Sequence, residues 1–230
     1  MAGDTRDRMV AAATQLFAER GYDATGFRDI VDQSGAARGA IYHHFPEGKA
    51  ELGERVALRA GGRLLEAVRA SCATGTPGQA LKALFELVTG TLPAGTPSAD
   101  HAVTCASVAS SPVAEPARPG CPVAAVALAA DDPDGRLRAA ANLIFADLRA
   151  ALTDCLVRDG VAPGAAGPAA ALAVAAAEGS VILCRAASGR EPIDQVRRAL
   201  TAGFAGLPRS AGISSGQAGG TNPDEGSDPM

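Results

Sequence analysis

The feature that most constrains the fold is an apolar stretch near the C-terminus. From Pro168 to Ser188 nearly every residue is small or apolar, and only Glu178 and Arg185 carry charge. A helix that is apolar on almost every side has to be covered all round. Because a chain of 230 residues offers little of its own to do so, the expected cover is a second copy. The stretch therefore predicts a homodimer, formed through this helix and the last one, which starts at Pro192.

The same stretch does not predict a membrane span. It contains no run of about 18 uninterrupted apolar residues. The N-terminus begins with charged residues, Asp4, Arg6, Asp7 and Arg8, instead of a basic and then apolar leader. We expect a cytoplasmic protein with no membrane partner.

Apolar residues make up 47% of the chain, and many of them are alanine. Alanine is the strongest helix former, whereas β-branched runs, which favour strands, are scarce. No segment has the pattern of a strand. The predicted fold class is all-α, with an N-terminal three-helix helix-turn-helix head on a larger helical body for ligand binding and dimerisation.

The head begins with an amphipathic helix. Apolar residues recur at i, i+3, i+4, i+7 and i+8 over residues 5–20, which is the spacing of one helical face. Gly21 ends this helix, and Thr25 is the expected N-cap of a second helix over residues 26–33.

A tight turn then leads into a third short helix. Ser34-Gly35 supplies a residue that tolerates positive φ, and the new helix is predicted to start at Ala37 and to end before Pro46. Two short helices joined by a glycine turn form a helix-turn-helix. Ile41 and Phe45 are expected to pack in the core of the head.

A helix-turn-helix places its second helix in the major groove of DNA. Arg38 can donate two hydrogen bonds to a guanine edge, and Gly39 lets the backbone come close. Tyr42, His43 and Lys49 can reach phosphate oxygens. The predicted DNA-binding residues are Thr25, Ala37, Arg38, Gly39, Tyr42, His43, His44 and Lys49.

Helical periodicity continues through the body. Long helices are predicted over 49–72 and 134–159, with shorter ones over 77–92 and 120–131. Five prolines among small polar residues make 93–119 a predicted loop or partly disordered insertion. We therefore predict three parts: the DNA-binding domain 1–48, the effector-binding and dimerisation domain 49–207, and a disordered tail 208–230.

A cavity for a small apolar effector is predicted among the helices at 77–92, 120–130 and 134–159. Alanine-rich helices leave room between them, and Asn142 and Arg149 are expected to supply the few polar contacts that orient a ligand. The predicted ligand-binding residues are Phe85, Val88, Val123, Asn142, Phe145 and Arg149.

The distribution of charge and the spacing of cysteine and histidine bear on which ligands the chain can bind. The formal net charge is −4, but residues 1–72 carry ten basic and ten acidic side chains, so the deficit lies outside the head. The five cysteines form no Cys-x-x-Cys pair, and the adjacent His43 and His44 point about 100° apart on a helix. We expect neither a metal nor a cofactor.

Two other functions compete with DNA binding. The first is an enzyme with Cys121 as nucleophile. Cys121 lies at a predicted helix N-terminus, which lowers the pKa of a thiol and favours the reactive thiolate. The same thiolate could also act as a redox sensor. Such an enzyme needs a general base, and the three histidines are His43, His44 and His101, two of them in the DNA-reading helix. A protein-interaction module with a helix-turn-helix shape is the other alternative, and the balance of basic and acidic side chains over residues 1–72 is its best support.

The head resembles the TetR family of bacterial repressors. The matching residues are Ala12-Ala13, Leu16-Phe17, Gly21-Tyr22, Thr25, Arg28-Asp29-Ile30, Ser34-Gly35, Arg38-Gly39 and Ile41-Tyr42-His43-His44-Phe45. The resemblance is dense over residues 5–58. It departs from the pattern at Ala37, where the family usually has Ser or Thr, and at His43, where a second Tyr is common.

Two further segments are similar to a branch of that family with multidrug or flavonoid responses. They are Phe45-Pro46-Glu47-Gly48-Lys49 and the Gly120-Cys121-Pro122-Val123 motif with the alanine-rich residues that follow. The resemblance implies a homodimeric repressor that leaves a palindromic DNA operator when a small effector occupies the body.

Overall fold

The computed structural model describes residues 2–88 and 120–210, with side chains from Thr5 onward. The predicted loop 93–119 and the tail beyond residue 210 lie outside these residues. Within them the chain forms nine helices. The helices are α1 (Ala2–Arg20), α2 (Phe27–Ser34), α3 (Ala40–His44), α4 (Lys49–Thr74), α5 (Pro77–Val88), α6 (Pro122–Ala127), α7 (Arg136–Arg158), α8 (Pro163–Ala187) and α9 (Glu191–Ala205).

The all-α prediction is confirmed for the described part of the chain. A single isolated bridge pairs Val161 with Arg209 in antiparallel fashion. The Ala162 amide also donates to the Pro208 carbonyl at 2.8 Å. These bonds tie residues 208–210 to the turn before α8, so the expected tail boundary at residue 208 was placed too early.

Two hydrophobic cores meet within α4. The first is the core of the head, where α1, α2 and α3 pack around Phe17, Phe45 and the early α4 residues Leu52 and Val56. The second is the body core, which begins on α4 at Leu64 and includes α5 to α9. One continuous helix therefore contributes to both cores.

The α4–α7 contact depends on a close approach at Gly61. A Cβ built on Gly61 would lie 2.4 Å from Cγ2 of Ile144, far inside van der Waals contact. Neighbouring Gly62 has nothing within 4 Å of such a Cβ. Glycine at position 61 thus lets α7 pack directly against the backbone of α4.

The apolar stretch forms a longer helix than its sequence predicts. α8 starts at Pro163, which suits a first helical position, and it continues through Pro168. In contrast, α6 ends at Ala127, earlier than the predicted end near residue 131.

By length and composition alone α8 could cross a membrane, with a mean hydropathy of 1.6 in its most apolar window. Its inner face nevertheless belongs to the body core, where Ala173, Ala177, Val181 and Cys184 are buried. Core helices of soluble proteins have the same composition, so this helix is weak grounds for a membrane span.

Candidate nucleic-acid interface

The turn between α2 and α3 has the geometry of a helix-turn-helix. Gly35 ends α2 in the left-handed region, with φ of 64°. At the other end of α2, the N-cap is Gly26, whose amide donates to the Asp29 carboxylate at 2.8 Å. The predicted N-cap, Thr25, was one residue too early.

Thr25 faces the head interior in this structure. It is buried, and its hydroxyl donates to the Gly21 carbonyl at 2.8 Å. The hydroxyl therefore caps the end of α1, and it would have to rotate away from Gly21 to donate to a phosphate. Its predicted contact with DNA stays a prediction.

The recognition helix starts later than predicted. α3 begins at Ala40, and the preceding residues form a turn in which the Ala40 amide donates to the Ala37 carbonyl at 2.9 Å. Arg38 and Gly39 therefore lie in this turn, immediately before the first turn of α3. Ile41 and Phe45 are buried, as the sequence predicts.

The outer surface of this unit brings together most of the predicted contact residues. Tyr42 is 66% exposed, and its ring meets the Phe27 ring edge-on at a centroid distance of 5.6 Å. This contact fixes the direction of the phenol without burying it. The other exposed members are Ala37, Arg38, Gly39 and His43, while His44 is half-buried.

Lys49 lies at the edge of this surface, at the start of α4. Its Nζ atom is 4.1 Å from the centroid of the Tyr22 ring, a cation–π contact. Partial burial lowers the pKa of the ammonium, and the nearby Asp23 carboxylate opposes that shift. The side chain therefore has a structural partner in the head, and its contact with a phosphate stays a prediction.

Residues 1–72 carry no net charge, but no acidic residue occurs between Asp32 and Glu47, the segment that contains the turn and α3. Four acids of the head are paired with arginines elsewhere. The pairs are Asp7 with Arg59 at 3.0 Å, Glu51 with Arg6 at 3.1 Å, Glu54 with Arg136 at 2.6 Å, and Glu47 with the same Arg136.

Two of these contacts join the head to the body. Arg136, in the first turn of α7, bridges Glu47, between α3 and α4, and Glu54 on α4. The Asp23 carboxylate also accepts from the Ala130 amide at 3.0 Å. No local sequence pattern identifies Arg136, because its partners lie 82 and 89 positions away along the chain.

The predicted effector residues divide into two groups. Phe85, Val88 and Val123 are buried in the body core, and Phe145 packs against it. Asn142 and Arg149 instead lie on the exposed side of α7. Their predicted position inside a cavity was wrong, because each directly follows a buried residue and is rotated about 100° from the inner face.

The structure also has a surface cleft between α5 and α9. It has a volume of about 160 Å³ and is bordered by Phe85 and Ile193, with Lys82, Glu86, Arg190 and Arg197 around them. This cleft differs from the cavity predicted among α5, α6 and α7. Among the six predicted ligand-binding residues, Phe85 is the one that borders it.

Cys121 has a structural role in the described residues. It is the N-cap of α6, and its sulfur accepts from the Ala124 amide at 3.5 Å. Burial, followed by the neighbouring Glu178 carboxylate, raises the pKa of the thiol well above its ordinary value. This direction is opposite to the lowering predicted from a helix N-terminus, and the thiol is buried, so the structure opposes both a nucleophile and a redox sensor at Cys121.

Glu178 was noted in the sequence only as a break in an apolar run. The structure puts its carboxyl beside the Cys121 thiol, and burial raises its pKa to about 7. A single acid in the largely apolar stretch from Pro168 to Ser188 was the signal that could have identified this position.

Comparisons with known proteins agree with this geometry. Residues 9–56 match the model of "Bacterial regulatory proteins, tetR family". Residues 78–199 match that of "Transcriptional regulator LmrA/YxaF-like, C-terminal domain". The two matches correspond to the head and to most of the body.

Individual relatives give the same result. An HTH-type transcriptional regulator from Mycobacterium tuberculosis is 31% identical over 200 residues, which cover 85% of this chain and 91% of the relative. The HTH-type transcriptional regulator LmrA from Bacillus subtilis is 42% identical over 67 residues, covering 29% of this chain and 34% of LmrA.

The fold is also that of solved structures. A TetR transcriptional regulator from Chloroflexus aurantiacus superposes with a TM-score of 0.67 at 24% identity, covering 91% of this chain and 98% of the other. At that identity the likeness shows the fold alone. With the two family models and the mycobacterial relative, however, the conclusion is plain: this chain belongs to the TetR family of helix-turn-helix transcriptional regulators.

Proposed function

We propose that the protein is a ligand-responsive repressor that binds a palindromic operator as a homodimer and releases it when a small, largely apolar effector occupies the body. The observation that carries the proposal is the exposed surface of α3 and the turn before it. This surface offers Arg38, Tyr42 and His43 without an acidic neighbour between Asp32 and Glu47. A surface of this kind complements the edge of a major groove.

Gly39 supports the same role. Its φ of −77° is ordinary for any residue, and a Cβ built on it meets nothing within 4 Å. Neither backbone conformation nor packing inside the described chain requires glycine there. A DNA backbone that approaches the start of α3 would require it, which accounts for the small residue between Arg38 and Ala40.

The proposed dimer uses the outer face of α8. Leu172, Ile182 and Leu183 are 58%, 68% and 50% exposed, although they belong to the most apolar helix of the described residues. They follow one face of the helix over about three turns. A two-fold axis through this face would bury the leucines and isoleucine of both copies and set the spacing of the two recognition helices.

The proposed release mechanism is a population shift. An effector that binds better to a state with wrongly spaced heads draws the dimer away from the operator, by no more than its differential affinity for the two states. α4 is the proposed path, because its first half packs in the head core and its second half in the body core. Residues 45–49 and the Gly120-Cys121-Pro122 motif support an effector of the multidrug or flavonoid class by resemblance.

The test is a titration into DNA upstream of the protein's own gene, with a selected genomic fragment pool in parallel. We expect tight binding to a palindrome that weakens steeply with salt, because phosphate contacts release counterions. Arg38→Ala and Tyr42→Ala should each weaken it. Arg69→Ala is the matched control, since it removes the same charge from an exposed position in the body half of α4.

The outcomes separate the proposal from its alternative. Loss of binding in the α3 variants with normal binding by Arg69→Ala would support operator recognition. The titrations are repeated at a low and a high salt concentration. If the protein shows no sequence preference for the upstream DNA or for the genomic fragments at either concentration, the repressor proposal fails. A protein-interaction module then becomes the better explanation of the fold.

A further inference from the structure

The first turn of α7 is built into the head, while the later turns of this helix belong to the body core. Leu137 is fully buried in the head core, and its Cδ2 atom would lie 2.8 Å from a Cβ placed on Gly53 of α4. The Asp132 carboxylate accepts the amides of Leu137 and Arg138 at 3.1 and 3.0 Å. These bonds hold the start of the helix, so the backbone of Arg136 has a fixed position.

From this position Arg136 reaches the segment between the recognition helix and α4. Its Nε atom donates to the Glu54 carboxylate at 2.6 Å, and its Nη1 atom donates to the Glu47 carboxylate. Phe45 and Pro46 alone separate Glu47 from the end of α3. Phe45 is fully buried, and a proline has a fixed φ. Glu47 and the recognition helix are therefore joined by a short, conformationally restricted stretch.

The same segment is held from the opposite side by the head itself. The Glu51 carboxylate accepts the Glu47 amide at 3.2 Å and pairs with Arg6 of α1 at 3.1 Å. The backbone of Glu47 is thus bonded to α4, and through Glu51 to α1, while its side chain is bonded to α7. One residue next to the recognition helix therefore has contacts with both the head and the start of α7.

The energetics do not favour a purely stabilising role for this bridge. The side chains of Arg136 and Glu54 are both 32% exposed, and that of Glu47 is 64% exposed. Ion pairs at such exposure contribute little to the free energy of unfolding, because solvent screens them. A guanidinium is, however, a planar fork, and it restricts the relative positions of the two carboxylates that it bridges.

We propose that Arg136 is a positioning residue for operator binding, which sets the orientation of each recognition helix relative to the body and so the spacing of the two recognition helices in the dimer. This inference rests on the proposed function and adds a contact outside the path through α4. Because the bridge lies outside the exposed surface of α3, its loss should spare the contacts of one head with one half-site. It should weaken binding that requires both heads at once.

The test measures binding of the full-length parent and of Arg136→Met to three kinds of DNA: the palindromic operator, a fragment with a single half-site, and operators with one base pair added or removed between the half-sites. We expect the affinity of Arg136→Met for the operator to fall by at least about fivefold, or about 1 kcal/mol, while its affinity for the half-site stays within about twofold of the parent. Its preference for the natural spacing should narrow. Its melting temperature should change by no more than a few degrees, because the ion pairs are exposed.

Arg138→Met is the matched control. It removes the same charge from the same turn of α7, but its partner is Asp132, just before that helix, at 3.5 Å. This variant should bind all the fragments as the parent does. Glu47→Gln is a second variant, which removes the acid next to α3 and leaves the contact of Arg136 with Glu54. It should also lose affinity for the operator but not for the half-site, and it decides the question if Arg136→Met does not fold.

Unchanged operator binding by Arg136→Met would overturn the proposal. An equal loss on the half-site and on the operator would overturn it too, because that result indicates damage within the head, and so would an equal loss in Arg138→Met. If the parent itself prefers no DNA sequence, the proposed function fails and this inference fails with it. Sequence-selective binding by the parent that Arg136→Met leaves unchanged would refute this inference alone.

Discussion

Arg185, near the end of α8, donates a hydrogen bond to the carbonyl of Glu19 at 3.3 Å, and a second to the carbonyl of Ala18. Both carbonyls lie in the last turn of α1, where they have no partner within the helix. The contact therefore joins the proposed dimer helix directly to the head. A cation at the C-terminal end of α1 also complements the helix dipole.

Replacing this arginine should loosen the head without damaging the dimer. Arg185→Met keeps most of the aliphatic stem and removes both hydrogen bonds, so the heads should be held less firmly at the spacing that an operator requires. We expect operator affinity to fall several-fold, with faster hydrogen exchange at the amides of residues 19–22. Arg158→Met is the control, because its guanidinium bonds within α7, to the Asp154 carbonyl. Equal effects of the two variants would contradict the coupling role.

The α4–α7 approach predicts opposite effects for two adjacent glycines. Gly61→Ala would place a Cβ 2.4 Å from the Ile144 side chain, and we expect a loss of about 1–3 kcal/mol in the free energy of unfolding. Gly62→Ala meets no atom and should stabilise α4 by up to about 1 kcal/mol. Chemical denaturation measures both. Ile144→Ala in the Gly61→Ala background should recover part of the loss, and strict additivity would argue against the contact.

A larger side chain at position 39 should leave the stability of the fold unchanged but weaken binding to DNA. Gly39→Leu occupies open space next to α3, so the melting temperature should stay within a few degrees of the parent. Operator affinity should fall by at least about tenfold, or about 1.4 kcal/mol, if a DNA backbone comes close there. Electrophoretic mobility shift with the operator measures the change. Unchanged affinity would show that the start of α3 lies away from the groove.

Much of the fold could be predicted because the helices carry clear apolar periodicity and end at glycine or proline. The long helices α4 and α7 began and ended within two residues of their predicted limits. The sequence does not distinguish Thr25 from Gly26 as the N-cap of α2. Thr25 is excluded in the structure because its hydroxyl donates to the Gly21 carbonyl instead. That choice depends on the three-dimensional path of the turn.

The site was harder to predict than the fold. The exposed residues of α3 could be predicted from the local spacing of apolar residues. To place Asn142 and Arg149, however, one must first know which face of α7 is buried. That face runs through Ala141 and Leu148, which directly precede the two polar residues. Arg136, Glu178 and Arg185 make contacts across the chain that no local pattern encodes.

The proposed dimer face predicts a position-specific effect of charge. Ile182→Glu would place two carboxylates in the α8 interface, one from each copy, at a cost of a few kcal/mol per dimer or more. Sedimentation equilibrium should then show monomer at concentrations where the parent is dimeric. Leu128→Glu is the control, since Leu128 is an exposed apolar residue at the end of α6 instead of α8. Dissociation by Leu128→Glu, or dimers of Ile182→Glu, would contradict this interface.

Glu178 predicts how stability depends on pH. Its folded-state pKa is about 7, raised by burial from an ordinary value of 4.5, so the folded state holds a proton that the unfolded state has already lost between these values. Stability should therefore be highest below about pH 4.5 as far as this group is concerned, fall as pH rises towards 7, and level off above it. Each pH unit in that window contributes about 1.4 kcal/mol, for a total of about 3 kcal/mol.

Glu178→Gln removes the ionisation and keeps the shape, so it should be more stable than the parent at pH 8 by up to about 3 kcal/mol. The difference between the two proteins should shrink as pH falls and vanish below about pH 4.5. Urea unfolding from pH 5 to pH 8 measures it, with Glu66→Gln as the exposed control. A difference that does not change with pH would mean that Glu178 ionises normally in the folded protein, against the effect expected from its burial.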